Sequence, residues 1–304
     1  MKIVLFLTGL ILLLGKQGSA YSEVQLALKT PRSCSKPQVR QEFRELPKEQ
    51  WTAFIDALKS LMKREPQKPS LYDEWASFDA THSDEAKGYA PFLAYNRLQL
   101  KAFEQALQVT HPNVTLPYWN WTLDAEHPET SPLLTAEYLG GNGEAPRGCI
   151  ATGPFKDYQV PSAKGFDCLK RSYYPGPSIA PFATREHIEK TVLRTRRYDQ
   201  LRQFLIYAPT NAVFHGIGGQ LMSQEPAQDP IYWLHMAYLD KLWADWQKKD
   251  KSHQKSVGGM LRDSSIANLQ SSIPGSQHKI ADVMATRDLC YEYGAGSGKG
   301  KAAR

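Results

Sequence analysis

The hydrophobic positions of this chain recur mostly at intervals of three and four residues. Residues 48–63 and residues 91–109 both show this spacing, which predicts two amphipathic helices. Residues 185–205 form a more polar helical stretch that could be broken in two. The strongest pattern follows Asp229 and Pro230, a cap and first-turn pair, and predicts a helix that continues to about residue 248.

The remaining pattern favours helices joined by long connections. Residues 128–184 and 251–288 carry most of the Gly, Pro and Ser and are expected to be loops. Strand-like alternation is rare. The sequence therefore predicts a mainly α protein, a helical bundle with long loops. Asn96 is an anomaly, because it places an amide on the inward face of the second predicted helix.

The first 20 residues have the composition of a secretory signal peptide. Lys2 is followed by an apolar run over residues 3–14 and by small residues before Tyr21. That run is shorter than the ~20 apolar residues that a membrane-spanning helix requires. We predict a secreted protein with one domain at residues 21–295, a disordered basic tail at 296–304, and no membrane association.

The net charge of +6 over 304 residues could suit an acidic partner. The basic residues are scattered, however, and no nucleic-acid-binding motif is present. We therefore expect no nucleic-acid partner.

Cysteines and glycosylation sequons agree with export from the cytosol. Four cysteines allow three disulfide pairings. We favour Cys149 with Cys168, around a loop rich in Gly and Pro, and Cys34 with Cys290, near the two ends of the chain. The sequons predict two glycosylation sites, and they begin at Asn113 and Asn120.

Several longer segments resemble the tyrosinase and catechol oxidase family of dicopper proteins, in particular its short secreted fungal branch. They are GYAPFLAYNRLQLKAFEQAL at 88–107, LPYWNWTLD at 116–124, PTNAVFHGIGG at 209–219 with QDPIYWLHMAYLDKLWADWQ at 228–247, and LCYEY at 289–293. The resemblance implies a four-helix bundle that holds two copper ions, each bound by three histidines, for the oxidation of phenols or catechols.

None of the six ligand positions implied by that resemblance carries a histidine here. The first site has Asp79, Lys87 and Asn96, and the second has Thr210, Phe214 and Met236. Imidazole is a preferred copper ligand, whereas an ammonium group and a phenyl ring are not ligands at all. We therefore predict no metal and no copper cofactor, in a chain that keeps the residues of the family scaffold such as Arg97 and Asp240.

The vacated space supplies the candidate site residues. The catalytic candidates are Asp79, Lys87, Asn96, Thr210, Asn211 and His215. The candidates for ligand binding are Trp75, His82, Tyr95, Phe214, Trp233, His235 and Met236, whose many rings suit a flat apolar ligand. If Asp79 and Lys87 approach each other, the pair could simply neutralise the interior, or burial could shift its pKa values towards acid/base work near neutral pH.

These residues predict a copper-independent acid/base enzyme. We expect it to catalyse a cyclisation, isomerisation or dehydration on a phenolic, polyketide or peptide-like metabolite, so that its partner is a small aromatic or polyketide-like ligand. One alternative is a non-catalytic binding or accessory protein. Another is a copper-dependent phenol or catechol oxidase, which requires a different ligand register from the one above.

Overall fold

The computed structural model describes residues 35–66 and 68–296 of the chain. Its helices are α1 (Lys48–Leu61), α2 (Leu71–Lys87), α3 (Phe92–Thr110), α4 (Arg185–Lys190), α5 (Tyr198–Leu205), α6 (Asn211–Ile217) and α7 (Ile231–Lys249). Its strands are β1 (Gln38–Arg40), β2 (Gly143–Glu144), β3 (Cys149–Ile150), β4 (Gln159–Ser162), β5 (Gly165–Cys168) and β6 (Tyr291–Tyr293). The predicted signal peptide, Cys34 and residues 297–304 lie outside the described residues.

The predicted helical bundle with long loops is confirmed. Helix α3 contacts α1, α2 and α7 and is buried along most of its length. Helix α7 is buried on every side over residues 231–244, which include the charged Asp240 and Lys241. The break expected in residues 185–205 separates α4 from α5.

Helix α2 is absent from the sequence-based prediction. The helix begins after Ser70, whose hydroxyl accepts a hydrogen bond from the Asp73 backbone N–H while the Asp73 carboxylate accepts one from the Ser70 backbone. Its buried stripe consists of Tyr72, Ala76, Asp79, Ser83 and Ala86. Asp79 and Ser83 are polar, so they interrupt the apolar pattern and hide the helical period.

A buried ion pair joins α3 to α7. The Arg97 Nε donates to Asp240 Oδ1 at 2.6 Å, and its guanidinium lies 3.7 Å from the centre of the Trp243 ring. The second Asp240 oxygen accepts hydrogen bonds from the hydroxyls of Tyr291 (2.5 Å) and Tyr293 (2.7 Å). One carboxylate thereby fixes two central helices and the last strand.

The two ends of the described chain meet at this pair. Strand β1 lies parallel to β6, and the Arg40 guanidinium lies 3.7 Å from the centre of the Tyr291 ring. Arg40 also forms two hydrogen bonds, of 3.0 and 3.1 Å, with the buried Glu104 on α3. The ends are therefore held by buried charges that are paired, as such charges must be.

Two further links fasten the long loop of residues 128–184. The predicted Cys149–Cys168 disulfide is confirmed. Arg171 forms hydrogen bonds of 2.8 and 3.0 Å with both oxygens of Asp229, just before α7 begins. The Cys34–Cys290 pair stays a prediction, because Cys34 lies outside the described residues.

Two sequence predictions at the surface need correction. Asn120 is only 4% exposed, and its amide donates to the Gly296 carbonyl, so the folded chain offers no room for a glycan there. The same bond shows that Gly296 belongs to the folded domain rather than to the predicted tail. Asn113 is exposed, and its glycosylation stays a prediction. No helix in the described ranges is long and apolar enough to cross a membrane.

The Arg97–Asp240 pair generates a stability prediction. We expect Asp240→Asn to lower the free energy of unfolding by about 3–5 kcal/mol, because it leaves Arg97 buried without its counter-charge. Glu85→Gln is the control, because Glu85 pairs with Arg262 at the exposed surface and its loss should cost under about 1 kcal/mol. Urea denaturation followed by circular dichroism measures both. Equal losses of unfolding free energy in the two variants would show that the buried pair contributes no more than an exposed ion pair.

Candidate functional site

A cavity of about 730 Å³ opens between α2, α6 and the loop of residues 221–226. Five of the predicted site residues line it. They are Lys87, Thr210, Asn211, Phe214 and His215. This cavity is the place where the candidate chemistry meets solvent, since the Lys87 side chain is 29% exposed.

A π-helical turn builds one wall of the cavity. It covers Ile206–Thr210 and contains Pro209, which cannot donate a backbone hydrogen bond and does not fit a regular α-helix. The Thr210 hydroxyl donates to the Leu205 carbonyl at 2.8 Å and satisfies one of the disturbed backbone groups. Such turns are frequent at functional sites. Here the turn leads directly into α6, which carries Asn211, Phe214 and His215.

A buried carboxylate lies behind the cavity wall. Asp79 has no exposed surface, and its Oδ1 accepts hydrogen bonds from the hydroxyls of Tyr232 (2.9 Å) and Tyr95 (3.4 Å). Its Oδ2 accepts no hydrogen bond from the described residues, and the Lys87 Nζ lies 4.0 Å away. Burial raises the pKa of Asp79, and the charge of Lys87 opposes that shift. Asp79 therefore adjoins the cavity through Lys87 and does not line it.

A second polar group is enclosed between α3 and α7. The Asn96 amide nitrogen donates to the Met236 carbonyl at 3.0 Å, and its oxygen has no partner among the described residues. The neighbouring His235 is fully buried, and neither of its ring nitrogens has a hydrogen-bond partner there. Burial lowers the pKa of His235 to about 3, so the imidazole is uncharged at neutral pH.

The remaining predicted binding residues do not line this cavity. The rings of Trp75, Tyr95 and Trp233 are packed in the core, where their contribution is to stability. His82 is turned away: its ring stacks on Phe78 with the centroids 4.2 Å apart, beneath the loop that contains Gly275. These four residues therefore do not line the cavity. Their predicted contact with a ligand has no support from this geometry.

Several lining residues escape the sequence analysis. Ser77, Thr81 and Asp84 line the cavity at helical spacing from Lys87. The capping box before α2 is the signal that could have revealed this face. The loop residues, among them Met222 and Glu225, carry no recognisable motif, and only the tertiary fold brings them to the cavity.

The described residues contain no group of three or more His, Cys, Asp and Glu side chains arranged to hold a metal ion. Of the six positions implied by the family resemblance, three lie on the cavity wall, at Lys87, Thr210 and Phe214. The other three, Asp79, Asn96 and Met236, are buried behind it. Of these three, Asp79 lies 4.0 Å from Lys87, and Asn96 is bonded to the Met236 carbonyl.

The fold defines the class of protein. A solved structure of polyphenol oxidase from Thermothelomyces thermophila resembles it with a TM-score of 0.73 over 86% of this chain and 90% of that chain, at 23% sequence identity. Residues 61–249 match the family described as the common central domain of tyrosinase. The chain therefore belongs to the tyrosinase family.

Two relatives show how far the sequence similarity extends. A tyrosinase of Streptomyces antibioticus is 33% identical over 186 residues, which are 55% of this chain and 66% of that enzyme. The chain thus spans slightly under two thirds of this relative. A tyrosinase-like protein of Diaporthe leptostromiformis is 26% identical over 86% of this chain and 81% of its own length.

The raised pKa of Asp79 predicts a stability that depends on pH. The folded chain binds this proton more tightly than the unfolded chain, so stability falls as the pH rises from the ordinary carboxyl range, near 4, to the raised pKa. We expect Asp79→Asn to stabilise the protein at pH 7, because no buried charge then remains at this position, and to flatten this slope.

Asp84→Asn is the matched control, because Asp84 lies on the same helix at an exposed position. Thermal and urea unfolding between pH 4 and 8 measure the three proteins. A less stable Asp79→Asn variant with an unchanged pH slope would contradict the prediction, since the attraction to Lys87 would then outweigh the cost of burial.

Proposed function

We propose that this protein is a secreted, copper-independent member of the tyrosinase family that performs acid/base chemistry on a small phenolic, polyketide or peptide-like metabolite. The observation that carries the proposal is the Lys87 ammonium in the cavity wall, 4.0 Å from the buried Asp79 carboxylate. Export is supported by the signal-like residues 1–20 and by the Cys149–Cys168 disulfide, which suits an oxidising compartment.

The side chains at the six ligand positions do not fit a pair of copper ions. Lys87 carries a positive charge, Phe214 has no donor atom, and the Thr210 hydroxyl is already bonded to a backbone carbonyl. The Asn96 amide nitrogen is bonded to the Met236 carbonyl. Copper sites of this type rely on imidazole nitrogens, and none of the six positions supplies one.

The polar residues that remain argue against a site that has merely decayed. Buried charges are often no more stabilising than well-packed apolar groups, so a site without a function would be free to fill with apolar side chains. Phe214 and Met236 are apolar, as such a site without a function would allow. The buried Asp79, with a raised pKa and one oxygen without a hydrogen bond, does not fit that account. Groups of this kind are concentrated at functional sites.

Lys87 is the proposed catalytic residue, and Asp79 is a positioning residue. In an isomerisation, the Lys87 ammonium donates a proton to a carbonyl oxygen of the ligand. The neutral amine then removes a proton from the adjacent carbon: the C–H bond breaks, a C=C bond forms, and the carbonyl becomes an enol. Lys87 returns to its ammonium form, so the reaction consumes no oxidant or reductant.

The second candidate is a non-catalytic binding or accessory protein. Exposed apolar side chains near the cavity favour it. Met222 lines the cavity and is 48% exposed, and Tyr207, in the π-helical turn that forms one wall, is 67% exposed. Exposed apolar surface of this kind is typical of contacts with a partner molecule.

Substitution of Lys87 tests the acid/base proposal. We expect the protein to accelerate deuterium exchange at the carbon next to the carbonyl of phenylpyruvate, an aromatic keto acid, followed by proton NMR in heavy water. Lys87→Met should lower the enzymatic rate roughly 100-fold or more, because the proton carrier is removed. Lys87→Arg is the matched control: it retains the charge and hence KM, and it loses kcat because a guanidinium does not give up its proton.

Exchange by Lys87→Met at the rate of the unsubstituted protein would remove Lys87 from the mechanism. Binding of phenylpyruvate without exchange would favour the second candidate, the binding protein.

A further inference from the structure

His235 is a buried polar group that the proposed acid/base chemistry does not use. The imidazole has no exposed surface, and neither nitrogen has a hydrogen-bond partner in the described part of the chain. An unsatisfied buried polar group lowers the stability of a fold, whereas an apolar residue of similar size would not. A molecule from outside the chain could supply the hydrogen bonds that the His235 nitrogens lack.

Two aromatic side chains lie close to the imidazole of His235. The ring of Phe214 lies 5.6 Å from the imidazole between centroids, and the ring of Trp121 lies 6.5 Å away. Phe214 also lines the cavity and is only partly buried. The Phe214 side chain therefore contacts both the cavity and the imidazole of His235.

Phe214 covers more than one polar group. Its ring lies 6.1 Å from that of Tyr232, which stands three residues before His235 and thus on the same face of α7. The Tyr232 hydroxyl donates to Asp79, so this face of α7 connects His235 with the carboxylate behind Lys87. Displacement of the Phe214 ring would bring the cavity to the imidazole of His235.

We infer that His235 is a second ligand-binding residue, covered by Phe214 in the free protein, and that it hydrogen-bonds an uncharged hydroxyl or amide group of a ligand that displaces the Phe214 ring. This inference rests on the proposed use of the cavity as a ligand site, and it does not require acid/base catalysis.

The surroundings of the His235 imidazole favour an uncharged group on the ligand. The rings of Trp121 and Phe214 lie next to the imidazole and carry no charge, and burial alone lowers the pKa of His235. A neutral imidazole offers one donor and one acceptor, which match a hydroxyl or an amide. A carboxylate or ammonium group would enter an apolar site with no opposite charge and would lose its hydration.

Chemical modification tests whether Phe214 is the cover. Diethyl pyrocarbonate reacts with accessible neutral imidazoles, and peptide mass spectrometry identifies the modified histidine. In the full-length unsubstituted protein we expect rapid modification of the exposed His215 and little of His235. Phe214→Ala should raise the rate at His235 at least about tenfold, because the packed ring no longer opposes opening.

Two further variants serve as controls for this modification experiment. Phe214→Leu retains apolar packing with a smaller side chain and should give an intermediate rate if Phe214→Ala is poorly folded. Phe204→Ala removes an exposed phenylalanine that does not line the cavity and should leave the rate at His235 unchanged. An unreactive His235 in well-folded Phe214→Ala and Phe214→Leu proteins would overturn the inference.

Binding of benzamide, a neutral aromatic amide, tests whether His235 takes the ligand. We expect Phe214→Ala to lower the Kd about tenfold, because the ring need not be displaced. His235→Leu in the Phe214→Ala background should raise the Kd again, by roughly tenfold, because the hydrogen bond is lost. Equal Kd values in these last two proteins would overturn the inference.

The same titrations in the Lys87→Met background separate the two proposals. The effects of the Phe214 and His235 substitutions should persist there, since neither readout depends on turnover. Loss of exchange activity without change in these Kd values would support both proposals independently. Unchanged exchange activity in Lys87→Met, with the His235 effects intact, would overturn only the acid/base proposal.

Discussion

The buried contact between Arg97 and Asp240 is the constraint on which the remainder of the structure depends. It joins the two most buried helices, α3 and α7, and it binds the last strand through Tyr291 and Tyr293. Neither charge reaches solvent, so the pair is stable only in one geometry. That geometry also positions the site, because Asn96 precedes Arg97 and is bonded to the carbonyl of Met236 on the opposite helix.

Near the six ligand positions, one exposed and several buried polar groups lie close to the cavity. Lys87 lies at the cavity surface, Asp79 lies behind it, and the ring of Phe214 lies next to His235. Among the described residues, Asp79 Oδ2 and the His235 imidazole have no hydrogen-bond partner, which reduces stability. A family scaffold that holds its central helices with buried ion pairs can tolerate such costs, and natural proteins commonly accept them at functional sites.

The sequence predicts much of this fold because α1, α3 and α7 bury continuous apolar stripes. It does not predict α2, since Asp79 and Ser83 stand in the buried stripe where the pattern needs apolar residues. Ser83 lines the cavity and Asp79 lies 4.0 Å from Lys87, so the apolar pattern fails next to the candidate site. The burial of Asn120 and the turning of His82 against Phe78 depend on contacts between distant segments, which no local pattern contains.

We propose that this member of the tyrosinase family works without a copper pair. The copper content of the full-length protein tests this proposal, when the protein is produced with added copper and measured by elemental analysis after extensive dialysis. We expect a value near zero, because the six positions supply no imidazole. Two copper ions per chain would contradict it and would make phenol oxidation the activity to measure.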